Sequence, residues 1–124
     1  MVRYIVDDVD AAIPFYRDQL GFELVMHPAP PIAILARGDL RLALSAPGGR
    51  GGGGQTLADG RRPEPGGWNR VVLEVSDLEA EVSRLKDAGA PLRSEIVVGV
   101  GGNQVIVDDP SGNPVELFEA KQQQ

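Results

Sequence analysis

A single carboxylate, Glu116, stands between two apolar residues near the C-terminus, in the run Val115-Glu116-Leu117-Phe118. This run follows Asp109-Pro110-Ser111-Gly112-Asn113-Pro114, whose prolines and glycine predict a tight turn and an extended restart. By strand alternation, Glu116 faces opposite to both of its neighbours, so it points away from the core if they enter it. That face is a metal site, a ligand pocket or plain solvent.

Few other residues are candidates for catalysis or ligand binding. His27 is the single histidine and precedes Pro28, a place more typical of an exposed residue than of a general base. The Asp108-Asp109 pair is explained more simply by turn capping than by a catalytic dyad. Trp68 could stack on a planar ligand, or lie in the core or an interface. Cysteine is absent, which excludes thiolate chemistry and disulfides, and no nucleophile elbow or Ser/His/Asp set appears.

Length and composition narrow the class of protein. The chain has 124 residues, 42% of them hydrophobic, which indicates one or at most two small globular modules. The net charge is −6 and no Lys/Arg cluster is present, so we expect no nucleic acid partner. Because no long apolar run and no signal-peptide pattern occur, we expect a cytoplasmic protein without membrane association.

The chain contains two copies of one pattern, a strand, a helix and three strands. Val6 to Asp10 in the first copy corresponds to Val75 to Glu79 in the second, and each segment leaves a strand and begins a helix. A Gly/Pro-rich stretch without apolar period separates the copies and predicts a linker or a flap. The predicted boundaries are 1–46 for the first module, 47–67 for the linker, 68–120 for the second module and 121–124 for a tail.

Alternation and helix-stop residues set the elements within each copy. One helix begins at Asp8 or Asp10 and ends at Gly21, and the other runs from Asp77 to Gly89. The predicted strands cover residues 3–6, 22–27, 32–37, 41–45, 70–75, 94–98, 104–107 and 115–118.

Three segments carry a family resemblance: Val6 to Phe22, Leu73 to Glu79 and, most specifically, Asp109 to Leu117. In this order they resemble the vicinal oxygen chelate superfamily, also called the glyoxalase / bleomycin resistance protein / extradiol dioxygenase superfamily. The resemblance implies an α+β fold. Its tandem βαβββ modules form a mostly antiparallel curved sheet around a cavity, with the helices outside.

Members of that family usually hold a divalent metal through four ligands, from the first and last strands of the two modules. The resemblance places those positions at Met1, Ala43, Arg70 and Glu116. A thioether, a methyl group and a guanidinium do not suit a hard divalent cation, and one carboxylate cannot hold it alone. We therefore expect no metal and no other cofactor.

Without a metal, the resemblance implies the drug-binding branch of the family. It predicts a metal-independent small-molecule binding protein, with drug sequestration or resistance as its role, acting as a homodimer on a small organic ligand. The alternative is a glyoxalase-like lyase, isomerase or dioxygenase in which Glu116 is a base or a residual ligand. A purely structural or regulatory module is a third possibility.

Alternation predicts which side chains face the cavity. Arg70 would pair with Glu116 or bind an anionic or carbonyl-bearing ligand, or the charges would form an ion-pair network with no ligand at all. The predicted ligand-binding residues are Arg3, Ile5, Arg41, Trp68, Arg70, Gln104, Glu116 and Phe118, with Ala43, Val72, Glu74 and Ile106 on the same face.

Overall fold

The computed structural model describes residues 1–48 and 53–121, so part of the predicted linker and most of the predicted tail lie outside the described residues. The order of elements confirms the α+β class and the tandem βαβββ modules. The elements are β1 (Val2–Ile5), α1 (Val9–Pro14), a π-helix (Phe15–Gln19), β2 (Glu23–Ala29), β3 (Ile32–Arg37), β4 (Leu40–Ser45), β5 (Val71–Glu74), α2 (Leu78–Asp87), β6 (Val97–Val98), β7 (Gly102–Asp108) and β8 (Pro114–Ala120).

The chain divides into two compact units, each with its own four-stranded sheet. The first unit contains residues 1–67 and 110–113, and the second contains residues 68–109 and 114–124. The strand orders are β1-β4-β3-β2 and β5-β8-β7-β6. In each sheet the first and last strands of the module pair in parallel and the other neighbours are antiparallel. Both sheets are therefore mixed and mostly antiparallel.

The first helix departs from the prediction of one continuous helix to Gly21. Asp8 caps α1 by accepting hydrogen bonds from the N–H groups of Asp10 (3.0 Å) and Ala11 (3.4 Å). Pro14 lacks an N–H and its ring crowds the preceding turn, so the regular α-helix ends there and the π-helix follows. Within that π-helix, Tyr16 is fully buried and anchors the helical segment in the core of the first unit.

The second strand also differs from its prediction, because it continues through Pro28 to Ala29. This strand is the edge of its sheet, where a proline removes no ladder hydrogen bond that a neighbour needs. Its register against β3 shifts between Leu24 and Met26 and again between Met26 and Ala29. Such irregularities bend an edge strand and discourage pairing with other chains.

In the second unit, α2 covers one face of the sheet. Asp77 caps the helix by accepting from the N–H of Ala80 at 3.1 Å, and Glu119 accepts from the N–H of Leu78 at 2.8 Å. The helix contacts β7 and β8. Buried side chains from both partners form this core: Leu78, Val82 and Leu85 from the helix, and Val105, Val107, Val115 and Leu117 from the strands.

The strand predicted over residues 94–98 is shorter in the structure, where β6 contains only Val97 and Val98. The preceding segment instead reaches β7 through an isolated bridge between Leu92 and Val107, and the Arg93 N–H donates to the Ile106 carbonyl at 2.8 Å. Residues 92 and 93 therefore lie beside the strand that carries Ile106 and Asp108.

The turn between β7 and β8 joins the first unit through side-chain hydrogen bonds. Asn113, which is buried, donates to the Ile5 carbonyl at 2.6 Å and accepts from the Gly66 N–H at 2.7 Å. The Asp7 N–H donates to Ser111 Oγ at 2.8 Å, and Gly112 adopts a φ of 84° that favours glycine. These contacts fix the point at which β8 begins. Across residues 1–48 and 53–121, no helix has the length and apolarity to cross a membrane.

Candidate ligand-binding site

The residues around Glu116 share the face of the second sheet that α2 does not cover. The strand register aligns Val72 of β5 with Glu116 of β8, and Glu116 with Ile106 of β7. The next aligned row on this face contains Glu74, Phe118 and Gln104. Because side chains alternate along a strand, these rows project from the sheet on the side opposite the buried valines and leucines.

Arg70 and Glu116 form an ion pair at the centre of this face. Arg70 Nε donates to Glu116 Oε1 at 3.0 Å, and Arg70 Nη2 lies 2.8 Å from the same oxygen. The two side chains are 26% and 12% exposed, so the pair is largely shielded from water. A carboxylate buried to this extent is stabilised by a cation and hydrogen bonds, and Arg70 supplies both.

Gln104 provides the second contact to the carboxylate. With its amide oriented to satisfy both groups, the Gln104 side-chain nitrogen donates to Glu116 Oε1 at 2.7 Å and to Oε2 at 3.0 Å. Together with the two contacts from Arg70, Oε1 has three polar contacts of 2.7 to 3.0 Å. The carboxylate is thus held in one orientation, with Oε2 as its less engaged oxygen.

Apolar side chains surround the ion pair. Val72 is 51% exposed, and Ile106 and Phe118 are half-buried on the same face. An exposed valine beside a shielded ion pair gives a surface that offers both apolar contact and hydrogen bonds. Small-molecule sites are usually built in this way, from apolar area with a few placed polar groups.

A second ion pair lies on the same face and was not predicted from the sequence. Arg93 Nε donates to Asp108 Oδ1 at 2.6 Å, and the Arg93 guanidinium carbon lies 4.5 Å from the centroid of the Trp68 ring. Arg70 connects the two groups, because its Nη1 donates to the Trp68 carbonyl at 3.1 Å. No local sequence signal marks Arg93, since it reaches Trp68 only through the pairing of its segment with β7.

The three predicted residues of the first unit lie on β1 and β4. Arg3 and Ile5 align with Ala43 and Ser45 in the register of these strands. Arg41 Nη1 donates to the carbonyls of Gly38 (2.9 Å) and Leu40 (3.3 Å) in the turn that precedes it. Its guanidinium is thus tied to its own turn, and a ligand contact by these three residues stays a prediction.

The donors at the projected metal positions do not fit a divalent cation. Glu116 is the only carboxylate among them, and its oxygens already accept hydrogen bonds from Arg70 and Gln104. Arg70 carries a permanent positive charge, whereas Met1 and Ala43 offer no hard donor. Among the described residues, no group of three or more His, Cys, Asp or Glu side chains is arranged to hold a metal ion.

Two clefts lie on the other side of the second sheet, beside α2. They have volumes of about 360 and 440 Å³ and share Glu79 and Ile96 in their lining. None of the residues around Glu116 lines either cleft. The candidate site is therefore distinct from these two clefts.

Comparison with known families gives a match over most of the chain. The family model described as Glyoxalase/Bleomycin resistance protein/Dioxygenase superfamily matches residues 1–117. No curated protein matches the sequence.

Solved structures of this fold cover nearly all of the chain. Lactoylglutathione lyase from Agrobacterium tumefaciens is 25% identical, with a TM-score of 0.73 over 96% of this chain and 91% of its own. A member of the same superfamily from Sphaerobacter thermophilus is 26% identical, with a TM-score of 0.74 over 94% and 92%. An antibiotic binding protein from Streptomyces sp. CB03234 is 22% identical, with a TM-score of 0.69 over 97% and 93%, and this likeness shows the fold alone.

Proposed function

This chain belongs to the Glyoxalase/Bleomycin resistance protein/Dioxygenase superfamily, and we propose that it binds a small organic molecule without a metal. The ligand lies on the face of the second sheet that α2 does not cover, against Val72, Ile106 and Phe118. Arg70, Gln104 and Glu116 supply the hydrogen bonds that orient it. Sequestration of a drug-like molecule is the role that this arrangement serves.

One observation carries the proposal: the Arg70 guanidinium holds the Glu116 carboxylate at 2.8 and 3.0 Å. In this contact the guanidinium supplies the positive charge that a carboxylate at this position needs. The Glu116 carboxylate is then neutralised without a divalent cation. Arg70 keeps further N–H donors that can bind a carbonyl oxygen of a ligand. An oriented donor beside apolar surface favours binding over metal-assisted chemistry at this site.

The exposed apolar side chains support the same proposal. Val72 and Trp68, which flank Arg70 in sequence, are 51% and 68% exposed. Covering such surface with an apolar ligand gains roughly 25 cal/mol for each Å² removed from water. A structural ion pair alone would not need large apolar side chains open to solvent on both sides of it.

The Streptomyces protein of this fold, an antibiotic binding protein, supports the proposal that this chain binds a drug-like molecule. The homodimer stays a prediction, and sedimentation velocity of the purified chain tests it directly.

The alternative is a metal-independent lyase or isomerase in which Glu116 removes a proton. The likeness to lactoylglutathione lyase from Agrobacterium tumefaciens favours it, at 25% identity. The atom that would accept the proton is Glu116 Oε2, because its contact to the Gln104 nitrogen is the longer of the two, at 3.0 Å. Against it stands the engagement of the carboxylate, because Oε1 already contacts Arg70 and Gln104 and Oε2 accepts from Gln104.

The test is a binding screen on chelator-treated, ¹⁵N-labelled protein with a pool of planar aromatic compounds and small oxo-acids. We expect at least one compound to shift amide cross-peaks of β5, β7 and β8. Glu116→Gln should lower the affinity for that compound, because a neutral amide holds the Arg70 guanidinium less firmly than a carboxylate does. Glu79→Gln makes the same chemical change at an exposed position on α2 and should bind as the original protein does.

Turnover separates the two functions. A base loses turnover on Glu116→Gln while affinity is kept, whereas a binding residue loses affinity. A pool in which no compound shifts these strands would refute ligand binding at this face. A compound that is converted by the original protein but not by Glu116→Gln would favour the enzyme.

A further inference from the structure

Trp68 is the single tryptophan of the chain, and it lies outside the core. Its exposed fraction is 68%, the value of a side chain that presents most of its ring to solvent. Exposing the large apolar surface of a tryptophan to water is unfavourable. The ring of Trp68 is nevertheless held by a specific neighbour. The feature that needs an explanation is thus an ordered but uncovered indole.

The order comes from Arg93. Its guanidinium carbon lies 4.5 Å from the indole centroid, within the range of a cation–π contact. Arg93 is in turn fixed by Asp108, whose Oδ1 accepts from Nε at 2.6 Å, and the two side chains are only 18% and 24% exposed. The backbone of Arg93 is also fixed against β7, because its N–H donates to the Ile106 carbonyl at 2.8 Å.

Arg93 thus lies over one face of the indole, while the residue as a whole stays 68% exposed. The backbone carbonyl of Trp68 accepts from Arg70 Nη1 at 3.1 Å, which ties the Trp68 backbone to the ion pair with Glu116. The ring lies against Arg93, which Asp108 ties to β7, a strand of the proposed ligand site. A flat surface of this kind is complementary to another flat ring.

The charges near the indole indicate which kind of ring fits. Arg93 is compensated by Asp108, and Arg70 by Glu116, so each cation already has its anion. A charged ligand would lose hydration without finding an unpaired partner in either pair, which costs free energy. A neutral ring with hydrogen-bonding substituents would not carry this cost.

We propose that Arg93, pinned by Asp108, is the positioning residue that holds Trp68 as a stacking platform for a neutral planar ring. This inference deepens the proposed function and depends on it, since the platform is the recognition element for the ligand that binds beside Glu116. Arg93 itself contacts the indole and not the ligand.

The first test needs no ligand. The indole N–H cross-peak of the single tryptophan and the near-ultraviolet circular dichroism both report whether the ring is fixed. Arg93→Ala should sharpen the cross-peak and reduce the dichroism, and Arg93→Lys should rescue little, because an ammonium lacks the planar stacking surface. Arg84→Ala removes an exposed arginine of α2 that pairs with Glu81 and should leave both signals unchanged. Unchanged signals in Arg93→Ala would overturn the positioning role.

The second test uses three bicyclic probes of matched shape: naphthalene-2-carboxamide, naphthalene-2-carboxylate and N-methylquinolinium. We expect the neutral carboxamide to shift the indole cross-peak and to bind tighter than either charged probe. Arg93→Ala should weaken it about fivefold, the loss expected for one cation–π contact that orders the ring. Arg84→Ala should leave its affinity unchanged.

The outcomes separate this inference from the proposed function. A pool compound that shifts the strands around Glu116 and leaves the indole cross-peak unmoved would overturn the platform while the proposed function stands. If either charged probe binds more tightly than the carboxamide, the inference that the ligand ring is neutral would be overturned. Absence of any shift with the carboxamide would overturn the platform whatever the pool screen shows.

Discussion

Replacing Arg70 with methionine keeps most of the side-chain volume and removes the charge that Glu116 needs. Breaking a fully buried pair costs about 3–5 kcal/mol, and an exposed pair about 0–1 kcal/mol. The Arg70 and Glu116 side chains are 26% and 12% exposed, so the pair lies nearer the buried limit. Gln104 remains as a donor to both carboxylate oxygens and offsets part of the loss. We expect Arg70→Met to lower the free energy of unfolding by about 2–3 kcal/mol.

Removing both charges should restore most of that stability. Glu116→Leu alone leaves Arg70 without its anion but partly able to reach water, at a cost of about 1–2 kcal/mol. In Arg70→Met with Glu116→Leu, no unpaired charge remains. The Gln104 amide loses its acceptor and the exposed Trp68 carbonyl loses its donor, so the double variant should lie within about 1 kcal/mol of the original protein. The coupling between the two sites is then at least about 2 kcal/mol.

Urea unfolding followed by far-ultraviolet circular dichroism measures these differences. For a chain of this length a loss of 2–3 kcal/mol moves the midpoint by about 1–2 M. Arg84→Met is the matched control, because its exposed pair with Glu81 is expected to contribute less than about 0.5 kcal/mol. A cost of Arg70→Met below about 0.5 kcal/mol, or additivity of the two single changes, would refute the view that Arg70 provides the positive charge for Glu116.

Two further predictions concern the elements that position the site. Asn113→Ala removes a buried amide that joins Ile5 and Gly66 and should cost about 2–3 kcal/mol by urea unfolding, whereas the exposed Asn69→Ala should be near neutral; equal effects would contradict this assignment. Asp77→Ala removes the cap of α2 and should lower stability by about 1 kcal/mol, while Asp87→Ala at the other end should not, since an anion there opposes the helix dipole. A smaller loss in Asp77→Ala than in Asp87→Ala would contradict the capping role.

The placement of Glu116 could be predicted from the sequence because it depends on a local rule. Alternation puts Val115 and Leu117 in the core, and the observed register aligns Glu116 with Val72 and Ile106 on the opposite face. The partner could also be predicted, since the resemblance placed Arg70 at a ligand position and its ion pair with Glu116 is present in the structure. The strand and helix order of each module followed from the same local signals.

Features that depend on distant contacts could not be predicted in this way. Arg93 reaches Trp68 because residues 92 and 93 pair with β7, and the sequence indicated instead a strand beginning at residue 94. Alternation placed Arg41 on the cavity face, which stays a prediction, but it gave no indication that the side chain donates to the carbonyls of its own turn. The prediction of one continuous first helix was wrong at Pro14. The missing N–H and the clash of its ring with the preceding turn end the α-helix there, and a π-helix follows.

The central claim is that the face around Glu116 binds its ligand without a metal. The most direct measurement is the dissociation constant of the tightest pool compound, from cross-peak shifts of β5, β7 and β8, first in excess chelator and then with saturating Zn²⁺ or Mn²⁺. The account predicts dissociation constants within about twofold of each other, because Arg70 already supplies the positive charge. Binding that appears only after the divalent ion is added would contradict it.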